Sequence, residues 1–223
     1  MGKRVYAILP LGGKGRRFDS ETPKQLLPFA GKPLFRHPFD VLAKRKDVRC
    51  IVLAVLSGYE AMVADAINGF DNGKDIVFVP GGESRFESVK NAIMALDGEG
   101  IALIHDGDRP FLSDELIDRC LESADKEGSG VAAIKSTDSL IEVKDGTRYL
   151  ERECIYRVQT PQCFDLKSLQ NAYGLVGNKQ FKDEGSLYLS AYGRLSLVEG
   201  DGRNVKIDVR EDAKLYFGEN YER

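Results

Sequence analysis

The sequence predicts an α/β fold built on a mainly parallel sheet, and three observations support that class. Short runs rich in β-branched residues alternate with longer stretches of helical periodicity, which is the pattern of βαβ units. The length of 223 residues suits one large domain or two small ones, and no linker, internal repeat or low-complexity tract divides it. A composition of 42% hydrophobic and 30% charged residues is typical of a globular protein. We therefore predict a single domain over residues 1–223.

The part of the chain before residue 136 predicts strands and helices in strict alternation. The predicted strands are residues 4–9, 49–56, 75–79, 101–105 and 131–135. The predicted helices are residues 33–45, 59–67, 84–96 and 114–126. Pro33 would lie in the first turn of the first helix, where a missing N–H costs nothing.

After this alternation the sequence predicts a β-hairpin. Residues 139–143 and 148–151 alternate in the manner of strands around the turn sequence Lys144-Asp145-Gly146. We interpret residues 138–152 as an arm that leaves the sheet and forms a dimerisation element, because an isolated two-stranded hairpin is marginally stable. The remaining predictions are a strand at 155–159, a helix at 166–175, an extended segment at 195–199 and a helix at 210–217.

Composition excludes several classes of function. A formal net charge of -3 argues against a protein that binds nucleic acid through its phosphates, and no apolar run approaches the roughly 18 residues of a membrane span. The cysteines stand far apart, in neither a zinc nor a dithiol pattern, and two histidines cannot furnish a histidine-rich metal site. We expect a cytoplasmic, reduced protein whose partners are neither nucleic acid nor membrane.

A glycine-rich loop follows the first predicted strand. It reads Leu11-Gly12-Gly13-Lys14-Gly15-Arg16-Arg17-Phe18, and Pro23-Lys24-Gln25 comes soon after. Clustered glycines let backbone N–H groups converge on an anion, and the basic side chains suit a triphosphate. No Gly-Lys-Ser/Thr follows, and Phe18 stands where a dinucleotide fingerprint needs its third glycine. The alternative is a glycine-rich turn beside solvated basic residues.

A second polar loop follows the fourth predicted strand and reads His105-Asp106-Gly107-Asp108-Arg109-Pro110-Phe111. Two carboxylates just past the carboxyl end of a strand are well placed to hold Mg²⁺, which prefers carboxylate and phosphate oxygens. The alternative is that Asp106 or Asp108 caps the next turn and pairs with Arg109.

Three further stretches are weak when taken alone. The first, Gly81-Gly82-Glu83-Ser84-Arg85 with Ser88, resembles a capped helix start. The second is Arg152 with Gln159-Thr160-Pro161-Gln162, and the third is Asn204-Val205-Lys206, where a late lysine is most simply a solvated one.

The order of all these motifs resembles that of the methylerythritol phosphate cytidylyltransferases of the non-mevalonate isoprenoid pathway, over nearly the whole chain. The resemblance implies a Rossmann-like nucleotidyltransferase domain that uses CTP, a polyol phosphate acceptor and Mg²⁺, and that forms a homodimer through the arm. The nearest alternative is a cytidylyltransferase for another polyol phosphate, such as ribitol 5-phosphate. A nucleotide-binding module without activity is an alternative from another class.

The resemblance also implies roles for individual residues. Arg17 and Lys24 would stabilise charge on the triphosphate, Lys206 would position the acceptor phosphate, and Arg152 would reach from the arm into the neighbouring subunit's site. Further acceptor contacts would come from Arg109, Ser139 and Thr160, and Asp106 would lie by the Mg²⁺ ion. The nucleotide would be lined, largely through backbone, by Leu11, Gly12, Gly13, Gly15, Gly82, Glu83 and Ser88.

Overall fold

A seven-stranded sheet forms the centre of the molecule in the computed structural model, which describes residues 3–12, 22–70, 73–177 and 179–218. The strands, in chain order and with two short hairpins included, are β1 Val5–Leu11, β2 Pro28–Phe29, β3 Lys32–Pro33, β4 Val48–Val55, β5 Asp75–Pro80, β6 Ile101–Ile104, β7 Ser129–Lys135, β8 Ile141–Val143, β9 Thr147–Tyr149, β10 Tyr156–Asp165 and β11 Leu197–Glu199. The sheet order is β11-β7-β10-β6-β1-β4-β5. β10 runs antiparallel to both of its neighbours, whereas the other pairings in this sheet are parallel. The predicted α/β class is therefore confirmed.

Helices cover both faces of the sheet. They are α1 Arg36–Lys44, α2 Glu60–Ala66, α3 Arg85–Met94, α4 Asp114–Glu127, α5 Leu166–Leu175, α6 Glu184–Tyr192 and α7 Arg210–Phe217. Several ends carry the expected caps: the Ser113 hydroxyl accepts from the N–H of Leu116 at the start of α4, and Gly128 ends that helix with a φ of 83°. In the part of the chain that the structure describes, no helix is both long and apolar enough to span a membrane.

Two predicted elements differ from those observed, and one observed helix has no counterpart in the prediction. The first helix begins at Arg36, and Pro33 instead pairs with Pro28 in the β2–β3 hairpin, so the prediction of Pro33 in a helical first turn was wrong. The strand predicted at 155–159 extends to Asp165 and includes a cis Thr160-Pro161 peptide bond. Helix α6 was not predicted.

The core lies in two layers, one on each face of the sheet. Along β1, Ala7 and Leu9 pack on the layer formed with α1 and α4, whereas Tyr6 and Ile8 pack on the layer formed with α3 and α5. This alternation is the period of two that a strand buried on both faces requires. The sheet therefore holds the loops at its carboxyl edge on a rigid base.

A smaller cluster anchors the C-terminal segment. Ile207 is fully buried against Phe29 and Leu34, together with Ala213 of α7. This packing brings the residues beside Ile207 to the carboxyl edge of the sheet, next to Lys24.

Candidate active site

The carboxyl ends of three parallel strands carry the predicted polar loops. Gly12 follows β1, residues 81–84 follow β5, and residues 105–109 follow β6. β1 pairs with β6 on one side and with β4 on the other, and β4 pairs with β5. Ligands bind at this edge in open α/β sheets, as the sequence analysis expected.

Asp106 is the electrostatic centre of the site. Its Oδ1 lies 2.7 Å from Arg85 Nε, and its Oδ2 lies 3.0 Å from Lys206 Nζ and 3.8 Å from Arg109 Nε. Burial alone would raise the pKa of Asp106, but the charges of Arg85, Lys206 and Arg109 hold that pKa well below its ordinary value. Asp106 is therefore an anion whose two oxygens already face cations.

Lys206 is charged at neutral pH. Burial would lower its pKa, but Asp106, and then Asp108, raise the pKa above its ordinary value. Its side chain keeps 31% exposure, the largest fraction among the cations that pair with Asp106. The ammonium group of Lys206 is therefore accessible to a ligand in its present conformation.

Lys24 lies in a short 3-10 turn, Lys24–Leu26, and is almost fully buried. Its ammonium group is 2.9 Å from Asp108 Oδ2 and 3.3 Å from Asp208 Oδ1, and it donates to the carbonyl of Ile207. A buried charge is tolerated only when it is paired and hydrogen-bonded, which these acceptors satisfy.

The segment that carries Lys206 is fastened to the loop after β6. Arg109 Nη1 donates to the carbonyl of Asn204 at 2.8 Å, and the N–H of Ile207 donates to the carbonyl of Asp108 at 2.9 Å. Asn204 is fully buried, and its amide donates to the carbonyl of Thr160 at 2.6 Å. Residues from three parts of the chain therefore form one rigid unit.

A chain of hydrogen bonds through His105 fixes the loop itself. The N–H of Asp106 donates to Thr160 Oγ1 at 3.0 Å, and the Thr160 hydroxyl donates to His105 Nδ1 at 3.2 Å. His105 Nε2 faces the carbonyl of Arg109 at 3.1 Å, so the proton of the neutral ring lies on Nε2. Burial lowers the pKa of His105 to about 4, so it is a structural hydrogen-bonding group near neutral pH.

Arg85 links the site to α6. Its Nη1 lies 2.8 Å from Glu184 Oε2, and Glu184 is fully buried at the first position of that helix. Burial raises the pKa of Glu184, although the charge of Arg85 opposes this. Arg85 belongs to the Gly81–Arg85 motif, but no individual role was predicted for it. Its position at the start of α3, three residues before Ser88, was the available signal.

Of the predicted nucleotide-binding residues, Gly12, Gly82 and Ser88 pack together at the turn into α3, whereas Leu11 and Glu83 lie outside that contact. Ser88 Oγ accepts from the N–H of Gly82 at 3.0 Å and donates to the carbonyl of Ser84 at 2.9 Å, which closes the turn into α3. A Cβ at Gly12 would lie 2.7 Å from Ser88 Oγ, so this close approach requires glycine. Leu11 is buried below the loop, whereas Glu83 is exposed and donates its N–H to the Glu87 carboxylate.

The predicted arm residues do not join this cluster within one chain. Arg152 is half exposed and lies 3.5 Å from the carbonyl of Thr137 and 3.6 Å from Glu153. Ser139 is also exposed. Gly13, Gly15 and Arg17 lie outside the described residues, so the structure gives no position for them.

Within the described ranges, the cations of the site are matched by carboxylates. Lys24, Arg85, Arg109 and Lys206 face Asp106, Asp108, Glu184 and Asp208. The pairing of Asp106 with Arg109 that the alternative named is present at 3.8 Å, but Arg85 at 2.7 Å and Lys206 at 3.0 Å lie closer to the same carboxylate. No group of three or more metal-ligating side chains occurs among the residues described here. A Mg²⁺ ion fits this donor set only where one or two carboxylates are completed by substrate phosphates, which is how the ion is commonly held.

Two lysines that pair with buried carboxylates at the carboxyl ends of parallel strands, in a chain whose sequence also carries a glycine-rich segment after β1, are typical of a nucleotidyltransferase. The family model for 2-C-methyl-D-erythritol 4-phosphate cytidylyltransferase matches residues 5–218. The chain belongs to that family, as its motifs predicted.

Named relatives and solved structures agree with this assignment. The chain is 32% identical over 209 residues to the 2-C-methyl-D-erythritol 4-phosphate cytidylyltransferase of Bacteroides thetaiotaomicron, covering 93% of this chain and 95% of the relative. It is 33% identical over 212 residues to the enzyme of the same name from Thermotoga neapolitana, covering 94% and 93%. The structure of 4-diphosphocytidyl-2C-methyl-D-erythritol synthase from Anaerococcus prevotii matches with a TM-score of 0.83 at 26% identity, over 100% of both chains. The cytidylyltransferase structure from Thermus thermophilus matches with a TM-score of 0.77 at 28% identity, over 97% of both chains.

Proposed function

We propose that this chain transfers a cytidylyl group from CTP to the phosphate of 2-C-methyl-D-erythritol 4-phosphate. The products are 4-diphosphocytidyl-2-C-methyl-D-erythritol and pyrophosphate. The observation that carries this proposal is the meeting of Lys24, Arg109 and Lys206 around one pair of carboxylates at the carboxyl edge of the sheet. Family membership supports the same reaction and favours this acceptor over ribitol 5-phosphate.

The reaction is an in-line displacement at phosphorus. An oxygen of the acceptor phosphate forms a bond to the α-phosphorus of CTP, and the bond from that phosphorus to the bridging oxygen of pyrophosphate breaks. The acceptor is already an anion near neutral pH, so no general base is needed. The protein has to position two anions and cancel their repulsion, which is the usual task in phosphoryl transfer.

Cationic side chains supply this cancellation. Lys206, the most exposed cation of the cluster, would contact the acceptor phosphate, together with Arg109 and the hydroxyl of Thr160. Lys24 and Arg17 would contact the triphosphate. Lys24 has to exchange one of its present acceptors for a phosphate oxygen, because its side chain is only 5% exposed.

Asp106 would hold Mg²⁺ together with phosphate oxygens of the nucleotide. The ion would supply positive charge to the phosphates, a Lewis-acid contribution that suits this reaction class. Because Asp106 already faces Arg85 and Lys206, its carboxylate would be shared between the ion and these cations.

The turn formed by Gly12, Gly82 and Ser88 would bind the cytosine and ribose through backbone groups. Leu11 and Glu83 border the same turn, and Gly13 and Gly15 would contribute backbone N–H groups to the triphosphate. The close approach of Gly12 to the Ser88 side chain, where a Cβ would lie 2.7 Å from Oγ, supports this role because it brings the backbone after β1 against the turn into α3.

A homodimer would complete the site. The arm exposes apolar side chains, with Val143 at 76% and Tyr149 at 75%, and large exposed apolar groups on a two-stranded hairpin favour packing against another surface. A second copy of the chain would cover them and would receive Arg152 and Ser139 at its acceptor pocket.

A cytoplasmic location is part of the same proposal. It rests on the scattered cysteines, of which the buried Cys50, Cys120 and Cys163 are unpaired thiols.

The deciding experiment measures pyrophosphate release from CTP with each acceptor in turn. We expect turnover with 2-C-methyl-D-erythritol 4-phosphate and at most a small fraction of it with ribitol 5-phosphate. The opposite preference would replace the acceptor and keep the reaction. CTP binding without pyrophosphate release for any acceptor would identify an inactive nucleotide-binding module and overturn the proposal.

A further inference from the structure

Asp108 differs from the other acidic residues of the site because its carboxylate lies between two lysines from distant parts of the chain. Its Oδ2 is 2.9 Å from Lys24 Nζ, and its Oδ1 is 3.6 Å from Lys206 Nζ. Lys24 lies shortly after the glycine-rich loop, whereas Lys206 lies near the end of the chain. One carboxylate therefore joins two cations that would otherwise repel each other.

Burial makes this bridge strong. Asp108 is 5% exposed, so water screens its charge weakly and its attraction to both ammonium groups is larger than at a surface. Without Asp108, two like charges would face each other in a poorly hydrated pocket. Lys24 would then keep only Asp208 as a charged partner among the contacts described above.

The bridge is also asymmetric. The contact with Lys24 has hydrogen-bond length, whereas Oδ1 on the Lys206 side has no hydrogen-bond partner among the described residues and faces that lysine at 3.6 Å. Lys206 has its hydrogen bond with Asp106 instead, at 3.0 Å. Asp108 therefore holds Lys24 firmly and restrains Lys206 loosely.

We propose that Asp108 is a positioning residue for the transfer reaction, because it fixes the ammonium groups of Lys24 and Lys206 close together before substrates bind. The inference rests on the proposed function, in which these two lysines contact the two reacting phosphates. Asp108 itself contacts neither substrate. It keeps the two cations at a separation at which both can meet the reacting groups.

The kinetic test uses Asp108→Asn, which keeps the shape of the side chain and removes its charge. We expect kcat to fall at least about tenfold, because the lysines are no longer held for the transition state. The KM for CTP should stay the same or fall, since the pocket loses a negative charge. Asp118→Asn is the matched control: it removes a carboxylate that pairs with Arg45 at 2.6 Å on the surface, and its kcat should stay within about twofold of wild type. A kcat for Asp108→Asn within the same limit would overturn the proposal.

A second measurement does not depend on turnover. Lysine acetylation followed by mass spectrometry reports how accessible each ammonium group is, and we expect faster labelling of Lys24 and Lys206 in Asp108→Asn, with Lys90 on the exposed face of α3 unchanged. Unchanged labelling of both lysines in the folded variant would overturn the inference, whatever the kcat.

If Asp108→Asn does not fold, Asp108→Glu keeps the charge but displaces it. This variant should retain more activity than Asp108→Ala, and equal activity of the two would overturn the inference. Absence of pyrophosphate release by the wild type would refute the proposed function instead, and the labelling result would still decide the role of Asp108.

Discussion

The loop at residues 105–109 and the arm at residues 138–152 both carry predicted site residues, but they hold them in opposite ways. In the loop, Asp106 and Asp108 are buried and paired with cations from other segments of the same chain. In the arm, Arg152 and Glu142 are exposed, and their partners lie within or beside the arm. The acidic residues of the first region find their partners within one copy of the chain, whereas the proposed role of the second region depends on another copy. The following experiments test that difference.

The largest expected effect comes from Lys206→Ala. Loss of one preorganised cation should lower turnover on the order of 100- to 1,000-fold, since the acceptor phosphate loses its most accessible positive partner. Because the Lys206 side chain is partly exposed, we expect the Lys206→Ala variant to fold. Pyrophosphate release under saturating substrates measures the effect, and Lys90→Ala serves as the surface control. Near-normal turnover of folded Lys206→Ala would remove this lysine from the mechanism.

Lys24→Ala should lower turnover to a similar degree and should also destabilise the fold. Removal of one partner from a buried ion pair costs about 3–5 kcal/mol, because Asp108 is left without its closest cation. Urea unfolding would measure that loss beside the kinetic assay. Stability equal to that of wild type would show that the pair is less buried in solution than the structure places it.

A mixing experiment tests the arm. Arg152→Ala should lose activity on the order of 100-fold by itself. If the arm serves the neighbouring subunit, mixed dimers of Arg152→Ala and Lys206→Ala contain one intact site each. Half of the dimers are mixed, so unfolding and refolding the two variants together should restore about one quarter of the wild-type rate. A mixture no more active than the average of its components would show that each arm serves its own subunit.

A smaller effect is expected from His105, on the buried side of the comparison. Its pKa is about 4 when folded and 6.5 in the unfolded chain, so below pH 6.5 the unfolded state binds a proton that the folded state does not. Stability should therefore fall as the pH drops, by about 2 kcal/mol between pH 6.5 and pH 5. The raised pKa of Glu184 acts in the opposite direction, because its carboxylate takes up a proton more readily in the folded state than in the unfolded state.

Urea unfolding at pH 7 and pH 5 would measure this contribution by comparing the wild type with His105→Gln. The variant lacks the titrating ring and should lose less stability over the interval than the wild type does. Equal losses would mean that His105 is protonated in the folded protein near pH 5.

The smallest effect is expected on the arm. Glu142→Gln breaks an exposed contact with Arg148 of 2.5 Å and should change the free energy of unfolding by less than about 1 kcal/mol. Thermal or urea unfolding of the assembled protein would measure it. A loss several times larger would indicate that this part of the arm is buried in the assembly.

The same contrast explains what the sequence could predict. The strand-and-helix alternation and the two polar loops were predictable because strand period, β-branched runs and clustered glycines are local signals. Helix α6 was missed because its apolar residues do not form a single stripe: Leu187 and Tyr188 are buried, but Leu189 is exposed. Pro33 was misassigned since a short hairpin overrode the helical pattern around it.

The partners of the site residues were beyond local signals. Lys24 binds Asp208 and the carbonyl of Ile207 because Ile207 packs on Phe29 and Leu34, which only the tertiary fold reveals. Arg85 binds Glu184 for a similar reason, since both belong to helices that meet above the sheet. The arm was predictable as a hairpin, but the surface proposed to receive it belongs to a second copy of the chain, which no local pattern within one sequence describes.

The bond from Lys24 to the carbonyl of Ile207 joins groups 183 positions apart. During synthesis the chain emerges from its N-terminus, so the ammonium group of Lys24 can reach these acceptors only after residues 207 and 208 have been made. A chain that ends near residue 200 contains the strands of the seven-stranded sheet but lacks the acceptors of Lys24. This part of the site can therefore form only after residues 207 and 208 have joined the fold.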